Sequence, residues 1–135
     1  MFEKILFPVD RSLETSHALE LAVDLARKYD SSVTLLFVLD ASELDDATAA
    51  EKQRQHGQTL LKQAEAALHR ANLSQVETVL REGKVAFAIC DAADDLNANL
   101  VVMGSRGVGL TEDGSEDSVS SRVINLSPCP VLVVP

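Results

Sequence analysis

The chain has 135 residues, 46% of them hydrophobic, and a formal net charge of −9. That is the size and composition of a single domain with one core, spanning residues 1–135, and the acidity argues against general nucleic-acid binding, where Lys and Arg must neutralise phosphates. No apolar run approaches the length of a membrane span, and Glu3 and Lys4 interrupt the stretch a secretory signal needs, so a cytoplasmic protein is expected.

Lys4 to Val9 reads as a short buried strand, and Ser12 to Tyr29 follows with Ala18, Leu19, Ala22, Leu25, Ala26 and Tyr29 at helical spacing. Ser32 to Leu39 is strand-like, and Leu44 to Asn72 is largely helical. The start of that helix is weakly amphipathic between Ala41 and Ala50, as a mobile loop would be, and Gly57 is a candidate break. Val76 to Arg81 is a strand and Val85 to Asn97 a helix. Asn99 to Met103 is again strand-like without polar alternation, Ser118 to Leu126 is a short helix, and Pro130 to Val134 is the last strand. Strands that alternate with helices in this way make a parallel α/β sheet covered on both faces, because parallel neighbours need a crossover between them.

Much of the remaining chemistry reads as ordinary surface or core. Cys90 lies in a helical pattern and Cys129 between two prolines, with neither a CxxC pair nor a secreted framework, so both are expected to be plain thiols. His17, His56 and His69 lie far apart without metal-ligand spacing and read as surface residues. The acid pairs Asp45-Asp46 and Asp94-Asp95 fit solvated helix faces. The spacings yield no catalytic constellation, no metal site and no Walker lysine, so a binding module is expected rather than an enzyme.

Ligands of open parallel sheets bind beyond the carboxyl ends of the strands, at the point where strand order reverses. Those ends carry Pro8, Val9 and Asp10, then Val38 to Asp40, then Met103, Gly104, Arg106 and Gly107. The two glycines after a strand let backbone approach a ligand closely, and Ser118 opens a helix whose free N–H groups suit an anion. The segment has the features of a phosphate-binding loop. Asp117, however, sits where that anion would go.

Taken in order, the segments ILFPVD, SHALELAVDLA, SVTLLFVLD, LVVMGSRG and SVSSRVINLSPCPVLVV strongly resemble the universal stress protein family over nearly the whole chain. The resemblance implies a doubly wound five-stranded sheet of order 3-2-1-4-5, of the adenine-nucleotide alpha-hydrolase-like kind, usually paired into homodimers through the last strand. It also implies a glycine pattern G-x2-G-x9-G-[S/T], which here reads Gly104, Gly107 and then Asp117-Ser118, with the third glycine replaced. Carried over by position, adenine would rest on Val9, Asp10 and Val38, and ribose near Pro8, Met103 and Gly104. The phosphates would lie against Arg106, Gly107, Ser118, Val119 and Ser120. ATP or AMP is the implied ligand.

Two readings of Asp117 stand side by side. It repels phosphates, in company with Glu112, Asp113 and Glu116 of the preceding loop, or it caps the helix N-terminus and has become an internal substitute for the anion. Asp10 likewise reads either as an acceptor for an adenine amino group or as a cap for the helix near Ser12. The expected function is a dimeric stress-response or regulatory module with weakened or lost ATP binding; the alternative is a nucleotide sensor that binds ATP or AMP. The apolar run Pro130 to Val134 is a sheet edge that wants a partner, and a second copy of the chain supplies one.

Overall fold

Strands buried on both faces show continuous apolar runs, because successive side chains point to opposite sides and neither side meets water. Such runs form the inner strands of the five-stranded sheet in the computed structural model, which describes residues 1–10, 17–105 and 118–135, while the edge strand Val76–Gly83 mixes charged with apolar residues. The elements follow in the order β1 (Lys4–Pro8), α1 (Ala18–Tyr29), β2 (Ser32–Asp40), α2 (Ala47–Arg70), β3 (Val76–Gly83), α3 (Val85–Asp95), β4 (Leu100–Gly104), α4 (Val119–Leu126) and β5 (Val131–Val134). All neighbours pair in parallel, and the strand order is β3-β2-β1-β4-β5, as the resemblance implied. The expected helix start at Ser12 lies outside the described residues.

The sheet divides the core in two. Ile5, Phe7, Leu35 and Phe37 face Ala18, Ala22 and Ala26 of α1 and Leu60, Leu61, Ala64 and Leu68 of α2. The intervening residues Leu6 and Leu36, with Val101 and Met103, face Ala86, Ile89, Cys90 and Ala93 of α3 and Val123 of α4. Full burial of each large aliphatic side chain contributes about 1.5–3 kcal/mol, so this two-sided packing is the main stabilising contribution visible in the fold. Alanines at every fourth position of α1 let that helix lie close on the strands.

The segment after β2 is ordered by two aspartates rather than loose. Asp40 accepts from the backbone N–H of Ser42 at 3.0 Å and starts a 3-10 turn over Ala41–Glu43. Asp46 then accepts from the N–H of Ala49 at 2.7 Å and caps α2. The reading of Ala41 to Ala50 as a mobile loop is therefore corrected: short acidic side chains satisfy the free N–H groups at both starts.

Gly57 does not break α2, contrary to the sequence expectation. It is buried in mid-helix, and a Cβ at this position would lie 2.3 Å from Cδ1 of Phe37, with further ring atoms at 2.6 and 2.8 Å. Its role is close approach, which seats α2 on β2. Gly57→Ala should gain about 1 kcal/mol of helix propensity but lose about 1–3 kcal/mol to overpacking, so the variant should unfold at lower urea. Adding Phe37→Leu should recover part of the loss; a single variant more stable than the parent would contradict the contact.

Candidate functional site

The strand order reverses at β1, whose neighbours β2 and β4 lead to helices on opposite faces, and a cleft of about 230 Å³ opens beyond the carboxyl ends of β1 and β2. Its described lining includes Pro8, Val9 and Asp10 after β1, Val38 and Asp40 at the end of β2, and Val119 at the start of α4. Leu36 turns its carbonyl toward β1 and accepts from the N–H of Val9 at 2.8 Å. Val38, two residues on, turns its backbone groups the same way, past the end of β1 and toward the cleft.

The cleft has a wall that sequence reading missed. Gln53 and His56, one helical turn apart on α2, line it together with Glu43 of the 3-10 turn and Val85 and Ile89 of α3. His56 also meets the ring of Phe37 edge-on, with centroids 6.3 Å apart. Polar residues at helical spacing look like a solvated face in the sequence, and nothing local marks them as a wall. Asp40 was legible, since it follows β2 as Asp10 follows β1.

Not every expected site residue joins the cleft. Met103 is 1% exposed, its side chain packed into the core with α3 and α4, and neither it nor Gly104 is among the lining residues. Gly104 instead lies opposite Val134 at the end of β4, and the next residue, Ser105, donates its N–H to the Val134 carbonyl at 2.9 Å. Ser118 and Ser120 flank the lining residue Val119. Arg106, Gly107 and Asp117 lie outside the described residues, as does the helix near Ser12 that Asp10 was expected to cap.

The start of α4 is capped by Ser118. This residue is extended (φ −65°, ψ 156°), and its hydroxyl accepts from the N–H of Ser121 at 3.2 Å while donating to the Ser121 hydroxyl at 2.9 Å. The capping bond proposed for Asp117 is thus made, at Ser121, by the residue after it. The N–H groups of Val119 and Ser120 belong to the first turn, where no intrahelical acceptor exists, and they stand beside the cleft.

The charge around the cleft is mostly negative, with Asp10, Asp40 and Glu43 set against the imidazole of His56. Asp40 is engaged by Ser42 through both backbone and hydroxyl, the latter at 2.8 Å. Among the described residues, no group of three or more His, Cys, Asp or Glu side chains is placed to hold a metal ion. Burial in α3, reinforced by nearby Asp91 and Cys129, holds the Cys90 thiol above its ordinary pKa. A thiol so held carries less thiolate and reacts slowly, which agrees with a structural role. No helix among the described residues is long and apolar enough to cross a membrane.

The model of the universal stress protein family matches residues 1–135. A universal stress protein of Synechocystis is 44% identical over 144 aligned positions, which take in 100% of this chain and 87% of that protein. A universal stress protein solved in complex with cAMP superposes with a TM-score of 0.79 at 22% identity, over 99% of this chain and 97% of the other. One from Archaeoglobus fulgidus in complex with dAMP gives 0.77 at 21% identity, over 99% and 98% of the two chains.

Proposed function

We propose, from the premise that the chain belongs to the universal stress protein family, that it is a dimeric regulatory module whose cleft takes an adenine nucleotide with few phosphates and takes ATP weakly. The observation that carries this reading is the cleft itself, where Pro8, Val9, Asp10, Val38 and Val119 converge from separate elements. Its volume of about 230 Å³ is room for a heterocyclic base. Adenine would rest on Val9, Asp10 and Val38, and the first phosphate beside the start of α4. The relatives solved with cAMP and dAMP, both carrying a single phosphate, support the choice.

Further phosphates would meet acids. Asp117 directly precedes the cap residue Ser118, in a segment that also holds Glu112, Asp113 and Glu116, with Arg106 and Arg122 the nearest cations before and after it in sequence. Two like charges about 4 Å apart repel by roughly 1 kcal/mol in water and about 4 kcal/mol at a surface-like dielectric, which lowers affinity by about one to three decades. The absence of a Walker lysine and of a general-base arrangement in the sequence favours binding over hydrolysis.

Calorimetric titration of adenosine, AMP and ATP with magnesium tests this reading. The wild type should bind AMP at least tenfold more tightly than ATP, and Asp117→Gly should strengthen ATP binding by about one to three decades. Equal binding of ATP by both proteins would overturn the electrostatic argument.

Dimerisation through β5 is supported by the geometry of the sheet edge. Pro130 and Val134 accept from the N–H groups of Val101 and Ser105 at 3.0 and 2.9 Å, so the even-numbered residues of β5 turn their backbone toward β4. Val131 and Val133 therefore turn theirs outward, and Leu132, 36% exposed, stands between them. A two-fold axis through Leu132 would pair Val131 of each copy with Val133 of the other. Val133→Pro removes an outward N–H and spares the bonds to β4, so it should shift the protein toward monomer in sedimentation; an unchanged dimer would rule this edge out.

A further inference from the structure

We propose that Gln53 reads the base: it presents a fixed hydrogen-bond acceptor at the α2 wall of the cleft and selects a purine with an amino group there over one with a carbonyl. This rests on the adenine-nucleotide reading of the same cleft and adds a residue and a selectivity to it. Gln53 lines the cleft, and its Oε1 is enclosed without a hydrogen-bond partner among the described residues. Native proteins leave few buried acceptors unmet, and such exceptions call for a functional account.

The orientation of the amide is set by its neighbour. Nε2 of Gln53 donates to Oε2 of Glu43 at 3.0 Å. An ionised carboxylate can only accept, so the amide must turn its NH2 toward Glu43, and the oxygen is left as the end with open capacity. The helix cannot easily withdraw that oxygen, because Gly57, four residues on, is pressed against the Phe37 ring. Two other polar groups of the same wall leave that oxygen unmet: the Asp40 carboxylate is itself an acceptor, already engaged by Ser42, and the His56 imidazole makes no hydrogen bond to it.

A ligand that satisfies Oε1 must bring an N–H. The exocyclic amine of a 6-aminopurine does so, whereas the 6-oxo group of hypoxanthine or guanine would set oxygen against oxygen. Leaving that acceptor unmet on binding should cost roughly tenfold to hundredfold in affinity. AMP and IMP differ at this edge and carry the same phosphate, so the comparison is insensitive to Asp117.

The test is calorimetric titration of AMP and IMP into wild type, Gln53→Leu and Glu43→Gln, with circular dichroism and thermal melting to verify the fold. Wild type should prefer AMP by roughly tenfold to hundredfold, and Gln53→Leu should lose most of that preference by weakening AMP. Glu43→Gln, which keeps Gln53 but frees its amide to turn, should strengthen IMP severalfold, a gain that mere structural damage would not produce. If AMP binds but the AMP to IMP ratio is unchanged in Gln53→Leu and IMP is not strengthened in Glu43→Gln, Gln53 does not read the base and the nucleotide reading survives. If neither nucleotide binds the wild type, both readings fall together.

Discussion

The constraint on which this structure depends is the reversal of strand order at β1. With β2 on one side and β4 on the other, the helices that follow them lie on opposite faces of the sheet, and a crevice is left beyond the carboxyl ends of the central strands. Three consequences follow. Both faces of the sheet must be covered, so the central strands carry apolar residues at successive positions. Asp10 and Val38, which follow different strands, come to line the same space, and the start of α4 arrives beside them. A concave site is thus a product of topology before any side chain is chosen to fill it.

A second contact decides how close that site is drawn together. Glycine in a helix interior costs about 1 kcal/mol relative to alanine, yet at Gly57 the missing side chain is what admits the Phe37 ring. The local penalty is offset by the packing of α2 on β2, which continues through Leu60, Leu61, Ala64 and Leu68. The same close approach sets Gln53 and His56 over the cleft. Core packing and the α2 wall of the cleft therefore share one glycine, and a change that loosens the first also moves the second.

The sequence disclosed the features that depend on local pattern. Unbroken apolar runs marked the inner strands, alternation with helices marked the parallel sheet, and the resemblance supplied the strand order. Pro8, Val9, Asp10 and Val38, which line the cleft, could be placed at strand ends because strand ends are local features. Gly57 was misread because helix propensity sees neighbours in sequence and not the Phe37 ring across the interface. Asp40 was seen only as a strand end and Asp46 only as part of a weakly amphipathic stretch, since capping needs the geometry of a helix start. The side chain of Met103, expected near a ribose, packs into the core against α3 and α4, a contact that strand pattern alone does not assign. Gln53 could not be singled out at all: its polarity looks like solvation until the fold shows that its oxygen is enclosed.

The most direct test of the account is an amide-resolved NMR titration of the 15N-labelled protein with AMP. The account predicts saturable shifts concentrated at Val9, Asp10, Val38, Gln53, Val119 and Ser120, around the carboxyl ends of β1 and β2 and the start of α4. Shifts centred instead on the opposite end of the sheet, around Ser32, Gln75 and Leu96, or no shifts at millimolar AMP, would contradict it.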